Sequence, residues 1–79
     1  MPHIVVKMLK GRSEEQKERL SAALKDTLIR EIGASGSHVS VSVEDYTAEA
    51  WQGIFKEEIT DKPETLRIAP GYDPKSLLQ

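Results

Sequence analysis

The start of the chain carries the most unusual chemistry in the sequence, because Met1 is followed by Pro2 and then at once by an alternating apolar segment. A small second residue permits removal of the initiator methionine, which would leave the ring nitrogen of Pro2 as a terminal secondary amine. An ordinary α-amino group has a pKa of about 7.7 to 8.0, and burial or nearby cations lower the pKa of an amine. The sequence Met1-Pro2 therefore predicts a general base at the Pro2 nitrogen. Retention of Met1 would abolish that chemistry, since an amide nitrogen is not basic.

Other kinds of active site find no support in the sequence. Glycine-rich phosphate loops, the HExxH zinc motif and the nucleophile elbow are all absent. There is no cysteine, which excludes disulfides and thiolate metal sites, and the only two histidines are His3 and His38. We therefore expect no metal and no cofactor.

Composition limits the partners and the location. The chain has 79 residues, 38% of them hydrophobic and 30% charged, with a net charge of −2. This balance is typical of a soluble globular protein and offers no electrostatic footprint for nucleic acid or an anionic membrane. Lys7 and Lys10 interrupt the opening segment, so no signal peptide or membrane span is predicted and a cytoplasmic location is expected.

The elements that would position Pro2 follow from the spacing of apolar residues. The segment from Pro2 to Leu9 alternates with a period near two, which predicts a strand. Ser13 and Gln16 have the spacing of a capping box at the start of a long helix, and Gly33 is placed to end that helix. The apolar positions between them recur every three or four residues over about five turns.

The rest of the chain predicts a second strand, a short helix and a tail. Alternation from Val39 to Val43 is typical of a strand, and Thr47 is placed to cap a short second helix. Prolines and few periodic apolar residues from Lys62 onwards indicate an extended tail. We predict an α/β fold (α+β in some schemes) with a right-handed β-α-β unit and a parallel strand pair. The chain should form a single domain, 1–79, with a core over 1–61 and a tail over 62–79.

Two strands and one long helix cannot enclose a core by themselves. The strand edges stay unpaired, and a chain this short buries too little apolar surface for much stability. Because there is no cysteine to staple the fold, association of identical chains is the expected source of further burial. We expect a homodimer with a four-stranded sheet, and a hexamer stays open.

Two groups of residues resemble a known family. The first group resembles the opening of the 4-oxalocrotonate tautomerase family, and the likeness continues to Trp51. This group consists of Pro2, the strand after it and the run Leu9-Lys10-Gly11-Arg12-Ser13-Glu14-Glu15-Gln16-Lys17. The tail, with Pro2-His3-Ile4, Trp51-Gln52 and Pro70-Gly71-Tyr72, is similar to a branch of small tautomerases that act on phenylenolpyruvate-type enols and form dimers. Hexamers are the rule in the shorter founding members.

The resemblance implies a role for four residues. Pro2 would be the base that moves a proton between an enol hydroxyl and carbon, and Arg12 would bind the substrate carboxylate. Trp51 would wall the pocket, where simple core packing is the alternative. Ser40 stands where the family has a second arginine, and a hydroxyl cannot neutralise a second carboxylate. The resemblance thus implies a small enol or keto acid with one carboxylate and an apolar or aromatic end, and leaves open whether Arg67, Lys7 or Lys56 replaces the missing cation.

Alternatives remain at this point. His3 stands beside the base, where it either faces a subunit interface or tunes the amine. A hydratase or dehalogenase-type lyase on the same scaffold is a second function, although no residue is assigned to activating water. A dimeric binding module without catalysis is a third, and retention of Met1 would be its signature.

Overall fold

The computed structural model describes all 79 residues, in two compact units, Met1–Asp45 and Tyr46–Gln79. The elements are β1 (His3–Leu9), α1 (Glu14–Ile32), a 3₁₀ turn (Gly36–His38), β2 (Ser40–Tyr46), α2 (Ala48–Phe55), a π-helical turn (Lys56–Thr60) and a 3₁₀ helix (Pro74–Leu78). Their order confirms the predicted β-α-β arrangement followed by a short second helix. The predicted organisation as one domain, with a core over 1–61 and a tail from 62, stays a prediction.

Strands β1 and β2 form a two-stranded sheet with a constant register. Nδ1 of His3 lies 2.7 Å from Oγ of Ser40, and Nζ of Lys7 lies 3.7 Å from Oε1 of Glu44. The two pairs have the same separation in sequence, 37 residues. The strands therefore run in the same direction, as predicted, and each residue of β1 faces a defined residue of β2.

The two faces of this sheet differ in chemistry. Lys17 of α1 pairs with Asp45 of β2, so the odd-numbered residues of β2 point to the side of the helix. Alternation then places Ser40, Ser42 and Glu44 on the opposite face. The face turned away from α1 therefore carries the serines of β2, while Val41 and Val43 lie on the side of the helix.

Helix α1 begins and ends where its local signals predict. Oγ of Ser13 accepts a hydrogen bond from the backbone N–H of Gln16 (3.1 Å), and Oε1 of Gln16 accepts one from the N–H of Ser13 (2.8 Å). At the other end Gly33 has a φ of 69°, and its N–H donates to the carbonyl of Ile29 (3.0 Å). This left-handed conformation is one that glycine adopts without steric cost, which confirms the predicted end of the helix.

The second unit is built around α2. Oγ1 of Thr47 accepts a hydrogen bond from the N–H of Ala50 (3.1 Å), which confirms the predicted cap. The helix continues into the π-helical turn, where the N–H of Asp61 donates to the carbonyl of Lys56 (2.9 Å). The tail is not extended throughout, because its last residues form a 3₁₀ helix that Asp73 caps and that packs on α2.

Burial is incomplete everywhere in the single chain. No residue is fully buried, and several large apolar side chains are exposed, namely Met1, Val5, Ile29, Ile32, Ile68, Tyr72 and Leu78. Since folding is driven mainly by removal of apolar surface from water, one chain alone has no closed hydrophobic core.

Candidate active site

Pro2 lies immediately before β1, where the chain is already held to the sheet. Its carbonyl oxygen accepts a hydrogen bond from the backbone N–H of Ser40 (3.2 Å), and the residue is half-buried. Met1 is 94% exposed. The peptide that follows the proline ring is therefore fixed to β2, while the peptide that precedes it stands open to solvent.

His3 and Ser40 lie at the same end of the sheet as Pro2 and contact each other. The 2.7 Å separation between His3 Nδ1 and Ser40 Oγ is that of a hydrogen bond, in which either group can donate. Of the residues that sequence reasoning selected, Pro2 and Ser40 are thus brought together at one end of the sheet. His3 joins them through a contact that the sequence alone did not predict, because the strand register cannot be read from the alternation.

Arg12 lies at the other end of β1. Gly11 has a φ of 131°, a backbone conformation that favours glycine, and it turns the chain out of the strand. The Arg12 side chain is exposed, with Nη1 3.5 Å from the carbonyl of Leu9. The seven residues of β1 span about 23 Å at the usual rise per residue. Pro2 and Arg12 of one chain are therefore too far apart to contact the same small substrate.

Trp51 lies in the second unit, within an aromatic cluster that consists of Tyr46, Trp51, Phe55 and Tyr72. The indole Nε1 of Trp51 donates to the hydroxyl of Tyr72 (2.9 Å). The rings of Phe55 and Tyr72 meet edge to face with centroids 5.6 Å apart, and those of Tyr46 and Trp51 are 6.2 Å apart. Trp51 is half-buried, and its one N–H donor is already used within the protein.

A second contact ties the same helix to the end of the chain. Nε2 of Gln52 donates to the carbonyl of Pro74 (2.8 Å) and to that of Ala48 (3.1 Å). The Trp51-Gln52 pair thus holds both Tyr72 and Pro74, more than 20 residues later in sequence. The spacing of residues along the chain did not predict these contacts, although Trp51-Gln52 and Pro70-Gly71-Tyr72 were each noted in the sequence.

Two of the three residues considered as a replacement for the second arginine are paired with carboxylates. Lys7 pairs with Glu44, and Nζ of Lys56 lies 2.7 Å from Oδ2 of Asp61. The hydrogen bond with Asp61 raises the pKa of Lys56 above its ordinary value. Arg67 is exposed in the segment before the 3₁₀ helix.

Two further features bear on function. No group of three or more histidine, aspartate or glutamate side chains is arranged to hold a metal ion. None of the helices combines the length and apolar character needed to cross a lipid bilayer.

Comparison with known proteins agrees with this architecture. A family model described as a tautomerase enzyme matches residues 2–53. Tautomerase PptA of Escherichia coli is 37% identical over 73 residues, which cover 91% of this chain and 97% of the relative. A probable tautomerase of Xylella fastidiosa is 40% identical over 73 residues, which cover 91% of this chain and 89% of the relative.

Solved structures give the same result. YwhB, a homologue of 4-oxalocrotonate tautomerase, matches with a TM-score of 0.58 and 34% identity over 60% of this chain and 77% of that one. TomN, another homologue from the tomaymycin biosynthetic pathway, matches with a TM-score of 0.61 and 34% identity over 63% of this chain and 77% of that one. With its β-α-β unit, its family match from residue 2 and these relatives, the chain belongs to the tautomerase family.

Proposed function

We propose that this protein is an isomerase that interconverts the enol and keto forms of a small 2-hydroxy-enoate or enolpyruvate-type carboxylate, with Pro2 as general base after removal of Met1. The observation that carries the proposal is the placement of Pro2. The family match begins at this residue, its carbonyl is held by β2, and Met1 is exposed enough for an aminopeptidase to reach.

The proposed reaction needs only the proline nitrogen and an anion-binding group. The neutral nitrogen of Pro2 accepts the proton of the enol hydroxyl and leaves an enolate, whose C–O bond becomes a carbonyl only as the electrons of its double bond move to the neighbouring carbon. The electrons of the enol double bond then take that proton back at the neighbouring carbon, which leaves the amine neutral again. Arg12 pairs with the substrate carboxylate and stabilises the negative charge that develops on the enolate. Atoms and charges balance without a co-reactant or a cofactor.

A complete site of this kind needs two copies of the chain. In one chain Pro2 and Arg12 lie beyond opposite ends of β1, whose seven residues span about 23 Å. If two β1 edges pair about a two-fold axis, the strands run antiparallel, and Pro2 of one copy comes next to Arg12 of the other. The same pairing completes a four-stranded sheet and covers apolar surface that one chain leaves exposed. The proposal therefore includes a homodimer. It also keeps the cytoplasmic location that the sequence leads us to expect.

The substrate class follows from two side chains. Ser40 carries no charge and its hydroxyl is engaged with His3, so a second carboxylate would find no cation there. Trp51 and its aromatic cluster offer an apolar surface for an aromatic or apolar substrate end. Phenylenolpyruvate, with one carboxylate and one phenyl ring, has these features.

The decisive experiment is complementation between two inactive variants. Intact mass first identifies protein that lacks Met1, and ketonisation of phenylenolpyruvate is then followed by ultraviolet absorbance. Pro2→Ala and Arg12→Ala should each lose activity, Pro2→Ala by about 100-fold or more. Refolded together, they should recover about a quarter of the wild-type rate, because half of the dimers are mixed and each mixed dimer has one complete site.

The controls separate the parts of the proposal. Either variant refolded alone should recover nothing. Mixed dimers that form, as native mass spectrometry would show, but stay inactive would exclude a site shared between copies. Processed wild-type protein without activity on a panel of 2-hydroxy-enoates would reject the proposed substrate class, and release of halide or addition of water without isomerisation would support the lyase alternative.

A further inference from the structure

Ser40 holds the start of β1 by two separate hydrogen bonds. Its backbone N–H donates to the carbonyl oxygen of Pro2 (3.2 Å), and its Oγ lies 2.7 Å from Nδ1 of His3. The first bond fixes the peptide that joins Pro2 to His3, and the second fixes the side chain of the residue that follows. One residue of β2 therefore restrains both ends of that peptide.

Such a restraint matters for a base at a chain terminus. Terminal residues are poorly ordered unless contacts tie them down. The ring of Pro2 already removes one backbone rotation, so the direction of its nitrogen lone pair depends on rotation about the bond between Cα and the carbonyl carbon. With the next peptide held on β2, this is the only rotation left. A misplacement of about 1 Å at a reacting group can cost up to about 100-fold in rate.

The His3–Ser40 bond is also the first of three opposed pairs on the face of the sheet turned away from α1. In this register Val5 faces Ser42, and the next charged pair, Lys7 with Glu44, is more open at 3.7 Å. The short side-chain hydrogen bond is thus located at the end of the sheet that carries Pro2. Cross-strand pairs of this kind typically stabilise a sheet only modestly, so their removal should leave the fold intact.

Building on the proposed function, we infer that His3 and Ser40 are positioning residues, whose Nδ1–Oγ hydrogen bond helps to hold the peptide after Pro2 on β2 and so limits the terminal nitrogen to rotation about a single bond near the substrate. His3 acts through Ser40 and Pro2 without touching the substrate. Ser40 consequently contributes to the rate of proton transfer and does not serve as a substitute for an arginine.

The geometry of the bond makes a specific test possible, because two amide side chains imitate the two nitrogens of histidine. Asparagine places a polar atom near the position of Nδ1, and glutamine places one near Nε2. His3→Ala, His3→Gln and Ser40→Ala should each lower kcat on phenylenolpyruvate roughly tenfold with KM nearly unchanged. His3→Asn and Ser40→Thr should restore most of the rate. The double variant with alanine at both positions should be no slower than either single variant, since both remove the same bond.

Ser42→Ala is the matched control, because it removes the next serine on the same strand and face. It should leave kcat and KM unchanged. All variants are assayed after intact mass has shown removal of Met1, and thermal unfolding reports the folded fraction.

Several results would overturn the inference while the proposed function stands. One is a His3→Ala variant as active as an active wild type, and another is rescue of the rate by His3→Gln but not by His3→Asn. The others are variants that raise KM without lowering kcat, or a loss of rate that disappears when rates are divided by the folded fraction. An inactive processed wild type would instead reject the proposed function itself, so the two failures are distinguishable.

Discussion

Each of the two compact units of this chain is stabilised internally, and the chemistry of the contacts within them differs. In Met1–Asp45 the identified side-chain contacts between elements are polar, such as His3 with Ser40 and Lys17 with Asp45. In Tyr46–Gln79 the contacts between α2 and the tail centre on aromatic rings. Polar pairs need defined partners and so specify strand register, whereas aromatic packing builds an apolar surface. We therefore expect the first unit to orient the reacting groups and the second to influence substrate preference.

The similarity to known proteins extends unequally over the same two units. The family match covers residues 2–53 and so includes the first unit apart from Met1 but only the start of the second. The match to PptA runs over 73 residues and must extend beyond residue 53. The hydrogen bond between Trp51 and Tyr72 thus combines a residue inside the family match with one beyond it. This is the distribution expected if general chemistry lies in the first unit and preference among enols in the second.

The largest effect should come from blocking the first unit at its terminus. Two or three residues placed before Met1 and resistant to aminopeptidase would keep the Pro2 nitrogen in an amide, which has no basic lone pair. We expect kcat on phenylenolpyruvate to fall by about 10² to 10⁴-fold, the usual contribution of a general base. Because Met1 is exposed, unfolding temperature should hardly change. Full activity of the extended protein, with its mass verified, would exclude Pro2 as the base.

An intermediate and different effect should come from the second unit. Trp51→Ala should raise KM for phenylenolpyruvate about tenfold, and change KM for an aliphatic 2-hydroxydienoate much less, because it would remove the apolar surface that we propose for the aromatic end of the substrate. Trp51 is half-buried, so unfolding free energy should also fall, by about 1 to 3 kcal/mol.

Tyr72→Phe is the matched control for that variant. It removes only the hydroxyl that accepts from Trp51 and keeps the ring that packs on Phe55, which should cost about 1 kcal/mol of stability with little change in KM. If Trp51→Ala shifts KM equally for both enols, Trp51 contributes to packing alone. The expectation that the second unit influences substrate preference would then be wrong.

The smallest effect concerns ion pairs and pH. The hydrogen bond with Asp45 raises the pKa of Lys17 above its ordinary value of 10.5. A raised lysine pKa means that the pair stabilises the folded state below pH 10.5 and that this stability is lost as the pH rises through the folded value. Asp45→Asn should thus lower the unfolding temperature slightly at pH 8, and the difference from wild type should shrink above pH 10.5.

Asp61→Asn is the corresponding change in the second unit. There the partner Lys56 is 70% exposed, against 17% for Lys17, so solvent should screen the pair and make the effect smaller still. A difference that stays constant from pH 8 to pH 11 in Asp45→Asn would show that the lost stability does not come from the charged lysine.

The start and end of each helix could be predicted from the sequence because their signals are local. The capping box of Ser13 and Gln16, the glycine at Gly33 and the cap at Thr47 all act within three or four residues. Backbone N–H groups at a helix end need partners wherever the helix lies in the fold. The choice of Pro2 as a candidate base was also possible from sequence, since its chemistry depends on its place at the terminus.

The contacts between distant segments were decided by the tertiary structure. The register that sets His3 opposite Ser40 depends on how β1 and β2 pair, and a strand pattern with period two permits several pairings. Tyr72 meets Trp51 only because the tail returns to α2. The distance between Pro2 and Arg12 likewise depends on β1 being extended over its full length. Residue types and local spacing thus determined which chemical groups this protein has and where its helices begin and end. The tertiary structure decided which side chains more than 20 residues apart in sequence meet, because such contacts depend on the packing of whole elements.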